Sequence, residues 1–247
     1  MNGESIIQAR HAGLIARIKT ACLSYGRNPA DVQLLAVSKT FDAQSILQVT
    51  DLGQTAFGES YLQEALPKIE TCVMARPEIP FEWHFIGPIQ SNKTRPIAEH
   101  FHWVQSVDRD KIARRLSEQR PEGLKPLNIC LQMNVSAEDS KSGCPPGQAL
   151  ELARLIATLP RLKLRGLMAI PAPTERIELQ REQFARVRAV YENIRNALRD
   201  EDLTFDTLSM GMSDDLESAI AEGSTMVRVG SALFGQRSYP ASQMSKP

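Results

Sequence analysis

The 247-residue chain is 42% hydrophobic and 23% charged, and its 29 acidic and 29 basic side chains cancel to no net charge. That balance creates no overall field to draw the protein to nucleic acid or to an anionic membrane, and the length suits one α/β barrel that needs no disulfide to stay folded. Cys22, Cys72, Cys130 and Cys144 lie far apart, with no CxxC and no Cys/His pair at metal-ligand spacing, so they read as reduced thiols; with no apolar run near the roughly 18 residues of a membrane helix and no signal-like N-terminus, the expected location is the cytosol.

In chain order, Ile6, Ile7, Ala9, Leu14, Ile15 and Ile18 recur at three-to-four spacing and predict a helix that stops at Tyr25-Gly26. From there, short apolar runs alternate with longer amphipathic ones. Strands are predicted at 34–38, 56–59, 83–87, 103–107, 127–135, 164–170, 207–210 and 226–234. Helices are predicted at 42–50, 61–70, 109–119, 148–159, 177–198 and 214–222, with a further segment at 91–99 that Pro96 weakens. Eight mostly continuous apolar strands, each followed by a helix or the chain end, point to an α/β fold, a single parallel (β/α)8 barrel. The competing arrangement is an open, doubly wound parallel sheet. Pro-rich stretches at 144–146 and 171–173 read as loops, and without linkers the whole of 1–247 is expected to be one domain.

In such a barrel, functional residues sit at the C-terminal ends of the strands. Lys39 follows the run LLAVS directly; burial there would lower its pKa and make it a better amine nucleophile, whereas a lysine snorkelling to the rim would carry no chemistry. The stretch Ser209-Met210-Gly211-Met212-Ser213-Asp214-Asp215 joins a strand end to a helix start, where backbone N–H groups and hydroxyls can bind a phosphate. Ser213 reads equally as an N-cap. In the last strand, Arg228 has apolar neighbours on both sides and needs a partner, such as a ring nitrogen or a carboxylate. Gly230 and Ser231 follow it and allow close approach and donation to a ligand. His84, in EWHFIG, reads better as a satisfied structural histidine than as a catalytic one, and Gln90-Ser91-Asn92-Lys93 reads as either a polar contact or a solvated loop.

Together the stretches LLAVSKT (34–40), FGESYLQEALPKI (57–69), EWHFIGPIQSNK (82–93), SKSG (140–143), RLKLRGLMAIPAP (161–173) and LSMGMSDDLESAIAEGSTMVRVGSALFG (208–235) resemble the pyridoxal-phosphate homeostasis proteins, the YggS/PROSC-like family, in the family's own order. The resemblance implies the type III fold of pyridoxal 5'-phosphate (PLP) proteins, like the N-terminal barrel of alanine racemase. It matches Lys39 to the lysine that forms the internal aldimine with PLP. Ser209, Ser213 and the backbone at Met210, Gly230 and Ser231 match the phosphate cradle, Arg228 matches the arginine facing the pyridine nitrogen, and Ser60 and His84 complete the expected set of cofactor contacts. Ser60 stands where the family usually has Asn, and its side chain reaches less far than an amide.

The implied function is a non-catalytic holder of PLP that buffers the cofactor or supplies it to apo-enzymes. The alternative is a PLP-dependent racemase. Two-base racemisation needs a proton acceptor on each face of the substrate; racemases of this fold take the second, a tyrosine, from a further domain, and only Tyr239 follows Gly235 here. The same comparison predicts a monomer.

Overall fold

A computed structural model describes residues 3–135, 142–199 and 203–235. Ser140 and Lys141 of the SKSG stretch, and Tyr239, lie outside the described residues. The strands β1 (Gln33–Val37), β2 (Ala56–Glu59), β3 (Glu82–Phe85), β4 (Trp103–Val107), β5 (Leu127–Met133), β6 (Leu162–Ala169), β7 (Thr207–Ser209) and β8 (Met226–Val229) all pair in parallel and in sequence order. β1 then closes on β8, with Ala36 opposite Val229, so the sheet is a closed barrel and not the open doubly wound alternative.

The helices are α1 (Gly3–Ser24), α2 (Ala43–Thr50), α3 (Leu62–Ala75), α4 (Thr94–His100), α5 (Asp110–Gln119), α6 (Ala149–Thr158), α7 (Ile177–Ala197), α8 (Leu216–Ala221) and α9 (Ser231–Phe234). Each presents one apolar stripe to the barrel. On α7 the stripe is Phe184, Val187, Tyr191 and Ile194, at spacings of three and four, all buried. Asp42 starts α2 by accepting the Ser45 N–H at 2.8 Å. Pro96 falls in the first turn of α4, where its missing N–H costs no helical bond. One expected strand is too long: β8 ends at Val229, and the apolar residues from Ser231 to Phe234 form the short α9. The chain turns at Gly230, so SALF packs as a helical turn against α1 instead of continuing the sheet.

The strands' outward side chains and the helices make the large core, while two small apolar clusters stand apart from it. One joins Leu35, Ala56 and Met226, on β8, β1 and β2, with Ile86 against it; the other joins Trp103, Cys130 and Met168, on β4, β5 and β6. A chain of buried polar groups also runs through these strands. Arg228 donates to the Ser209 hydroxyl at 2.9 Å, Ser209 donates to Gln105 Oε1 at 2.7 Å, and Gln105 Nε2 donates to His84 Nδ1 at 2.9 Å. With Nδ1 accepting, the His84 proton sits on Nε2 and is donated to Glu82 at 2.8 Å. Every donor points the same way, from a cation on β8 to a carboxylate on β3. Burial lowers the pKa of His84, which is therefore neutral at pH 7. Burial, the largest single influence on Glu82, would raise it, but His84 together with hydrogen bonds from Trp103 and Gln33 outweighs burial and holds the carboxyl low, at about 2.

All four cysteines are free and buried. Burial pushes the thiols of Cys72 and Cys144 up to about 11 and that of Cys130 to about 12, so they are poor nucleophiles. No described helix is long and apolar enough to cross a membrane.

Two consequences can be checked. A Cβ at Gly166 would lie 1.7 Å from the Thr207 carbonyl oxygen, whereas one at Gly13, exposed on α1, would meet nothing within 4 Å. Gly166→Ala is expected to destabilise by at least about 2 kcal/mol, lowering Tm by about 4–8 °C. Gly13→Ala is expected to stabilise by about 0.5–1 kcal/mol, and equal effects from the two would contradict the barrel register. The second concerns pH. The folded pKa of His84 lies below its ordinary 6.5, so the unfolded chain takes up that proton first as pH falls. The stability that neutral His84 contributes is complete above that ordinary value and declines below it. Denaturant midpoints are expected to drop between about pH 6.5 and 5 and to drop less in His84→Gln; an unchanged slope would show that His84 is not buried and neutral.

Candidate functional site

Closure of β1 on β8 brings the segments that follow these two strands together at one rim of the barrel. Lys39 lies three residues beyond Ala36, and Gly230 lies one beyond Val229, the residue paired with Ala36. β1 ends at Val37, and Lys39 lies in the turn that follows, which the Phe41 N–H closes on the Ser38 carbonyl at 3.1 Å. Lys39 is half-buried, between the barrel interior and the rim. Gly230 fits closely here: a Cβ on it would come within 3.1 Å of the Val37 carbonyl oxygen.

Below the rim, Arg228 is 4% exposed. Its guanidinium donates to the Ser209 carbonyl at 2.7 Å, the Ser209 hydroxyl at 2.9 Å and the Ala169 carbonyl at 2.8 Å. All three partners are neutral oxygens at the C-terminal ends of β6 and β7. Burial lowers its pKa to about 10, so it remains protonated at neutral pH, supported by the nearby Asp215 carboxylate. A buried cation held by carbonyls keeps a positive potential in the mouth that a bonded carboxylate would cancel.

The loops after β7 and β8 supply hydroxyls. Ser213 Oγ and Ser231 Oγ face each other at 3.3 Å. Ser213 is not an N-cap: α8 begins at Leu216 with Asp215 in the cap position, and Asp215 instead accepts the Met212 N–H at 2.6 Å. The Ser213 hydroxyl is thus left to the mouth. Gly211, at φ +96°, makes the turn possible, because a Cβ there would press within 2.5 Å of the Ala219 side chain. Its carbonyl accepts the Arg228 N–H at 2.9 Å and ties this loop to β8. Arg17, on α1, donates to the Ser213 carbonyl at 2.8 Å and grips the Glu217 carboxylate with two nitrogens.

The expected site residues therefore divide. Lys39, Ser213, Gly230, Ser231 and the guanidinium of Arg228 converge on the mouth. Ser60 joins them at the end of β2, where Gly87 comes so close that a Cβ would lie 2.2 Å from the Ser60 carbonyl. Two expectations for the phosphate cradle need correction. Ser209 is fully buried and spends its hydroxyl on Gln105 and Arg228, so it anchors the arginine and is not a phosphate donor. The Met210 backbone is likewise committed: its N–H goes to Met226 O at 3.1 Å, and its carbonyl accepts Ser224 at 2.7 Å. His84 is fully buried inside the barrel, stacked on Trp103 at 5.1 Å, and fits the structural reading rather than direct ligand contact. The Gln90–Lys93 stretch forms a 3-10 turn leading into α4, its Ser91 carbonyl held by Arg115 and Thr94.

Gln105 was missed. Its signal was present, since a glutamine inside the buried run WVQSV needs a partner as much as Arg228 does. Arg17 had no such signal, because a charged residue on an outer helix reads as solvated.

Comparisons with known proteins place the chain in a family. The profile of the family described as "Alanine racemase, N-terminal domain" matches residues 18–238. The pyridoxal phosphate homeostasis protein of Pseudomonas aeruginosa is 57% identical over 237 residues, covering 96% of this chain and 98% of that one. That of Escherichia coli K12 is 49% identical over 230 residues, covering 90% and 93%. PipY of Synechococcus elongatus PCC7942, solved with PLP bound, superposes with a TM-score of 0.77 at 33% identity over 93% of this chain and all of that one. Alanine racemase of Corynebacterium glutamicum shares the fold alone, with a TM-score of 0.59 at 16% identity over 89% of this chain and 59% of that one. The chain belongs to the pyridoxal phosphate homeostasis proteins, within the alanine racemase N-terminal domain family.

Proposed function

We propose that this protein binds PLP at the barrel mouth, holds it covalently through Lys39, and buffers or supplies it to apo-enzymes without catalysing a reaction of its own. The observation that carries this reading is the convergence, at the β1–β8 closure, of a half-buried lysine, a buried arginine and two facing hydroxyls. PLP, when bound, supplies an aldehyde that condenses reversibly with a primary amine, releasing water. The residues present fit such a group. Ser213 and Ser231 offer hydroxyl donors to a phosphate, and Gly230 leaves room for it against β1. Arg17 holds the Ser213 backbone from behind. Arg228 faces the mouth as a permanent cation; beside a pyridine nitrogen it donates a hydrogen bond and keeps that nitrogen unprotonated, which weakens its capacity to stabilise a carbanion. The PipY neighbour with bound PLP and the names of the near-full-length relatives support the same reading. A single domain acting as a monomer, with PLP-dependent apo-enzymes as transient partners, completes the proposal.

Borohydride reduction of the PLP-loaded protein is expected to leave a phosphopyridoxyl group on the peptide containing Lys39. Ser213→Ala and Ser231→Ala are each expected to weaken PLP about tenfold, the loss of one charge-assisted hydrogen bond. Binding of pyridoxal, which lacks the phosphate, should change little; equal losses for both compounds would remove these hydroxyls from the phosphate site. For the catalytic alternative, loaded protein with L-alanine in heavy water is expected to show no α-proton exchange above that of free PLP. Exchange that disappears in Lys39→Ala would establish an enzyme instead.

A further inference from the structure

The turn that carries Lys39 is held in a conformation its own sequence disfavours. Thr40 has φ +70°, in the left-handed region, where a β-branched residue is a genuine outlier. Other left-handed turns among the described residues use glycine, as at Gly26 and Gly53, with Arg161 the other exception. A strained residue persists only where its surroundings over-determine it, and here the surroundings come from α3.

Glu64 and Lys68 lie one helical turn apart on α3 and so share a face. Glu64 Oε2 accepts the Thr40 N–H at 3.2 Å. Lys68 Nζ donates to the Ser38 carbonyl at 3.0 Å, and the same carbonyl accepts the Phe41 N–H at 3.1 Å. Lys68 is 8% exposed and is fixed in turn by Glu59, which is fully buried: Nζ to Oε1 is 2.6 Å, and the Ser38 hydroxyl reaches that same oxygen at 2.6 Å. Beyond the turn, the Phe41 ring stacks on Phe234 at 4.9 Å. The residues before and after Lys39 are therefore pinned from outside the barrel, and Lys39 sits between them, half-buried at the rim.

We propose that Glu64 and Lys68, braced by Glu59, form a clamp that holds Thr40 left-handed and thereby aims the Lys39 amine at the bound aldehyde. They are positioning residues and touch no ligand. This inference rests on Lys39 as the attachment point. Without the clamp, Thr40 relaxes toward negative φ and turns Lys39 away from the loops that hold the phosphate.

The test uses Glu64, which is exposed, so its truncation spares the core. Release of PLP from the loaded protein is followed by trapping free aldehyde with hydroxylamine, alongside thermal unfolding. Glu64→Ala is expected to speed release about tenfold, the order of effect set by one strained backbone residue, with Tm nearly unchanged. Glu64→Gln keeps an acceptor for the Thr40 N–H and is expected to behave like the parent protein. The decisive variant combines Glu64→Ala with Thr40→Gly: glycine adopts the left-handed turn unaided, so release should return to within about twofold of the parent. If Glu64→Ala leaves release unchanged, or if Thr40→Gly fails to relieve its effect, the clamp is refuted. The borohydride-reduced parent protein separates the two levels. Label on Lys39 without this coupling overturns the clamp alone, and absence of label from Lys39 overturns the site and the clamp together.

Discussion

A guanidinium enclosed in the barrel is the constraint from which most of this architecture follows. Arg228 is protonated and nearly inaccessible, and an unpaired charge in such a place costs several kcal/mol. The protein offsets that cost without an adjacent bonded carboxylate. Two strand-end carbonyls and one hydroxyl take the nearest donors, and an aligned series of hydrogen bonds leads through Ser209, Gln105 and His84 to Glu82 on the far strand. Aligned donors polarise one another, so the series behaves as a unit. It also accounts for the two separate apolar clusters among the inner strands.

The loops of the mouth depend on the same strand. Gly211 is fixed by the backbone of Arg228, and the turn it makes presents Ser213 to Ser231. Arg17 reinforces the turn from α1, and Gly230 lets β8 lie close against β1. The opposite wall, with Lys39, is set by α3. The mouth is thus shaped from two sides: an inner polar series around Arg228, which the proposed site uses for a ring and a phosphate, and the contacts of α3 with the turn around Lys39, which the proposed clamp uses for the amine. A holder that must also let go benefits from such separation, because the clamp can tune release without disturbing the phosphate site.

Much of this was legible in the residues. A continuous apolar run such as LLAV announces a strand buried on both faces, and the stripe on α7 announces a helix with one buried face. Lys39 and Arg228 stood out because each interrupts or ends an apolar run. The overlong last strand shows the limit of that logic: SALF is as apolar as a strand, and only the turn at Gly230 makes it a helix. Ser209 and Met210 were matched to the phosphate cradle by the family resemblance, yet their hydrogen bonds to Gln105, Arg228, Met226 and Ser224 commit them to the wall. Glu64, Lys68 and Arg17 were not legible at all. Charged residues on helices ordinarily face solvent, and their partners, 9 to 200 positions away, are defined only once the barrel closes.

The account's central claim is that the convergence at the β1–β8 closure is a PLP site. A crystal structure of the protein loaded with PLP tests it most directly. The account predicts continuous density from Lys39 Nζ to the cofactor, a phosphate beside Ser213 and Ser231, and a ring nitrogen facing Arg228. Cofactor density attached to another lysine, or a phosphate lying away from both serines, would contradict it.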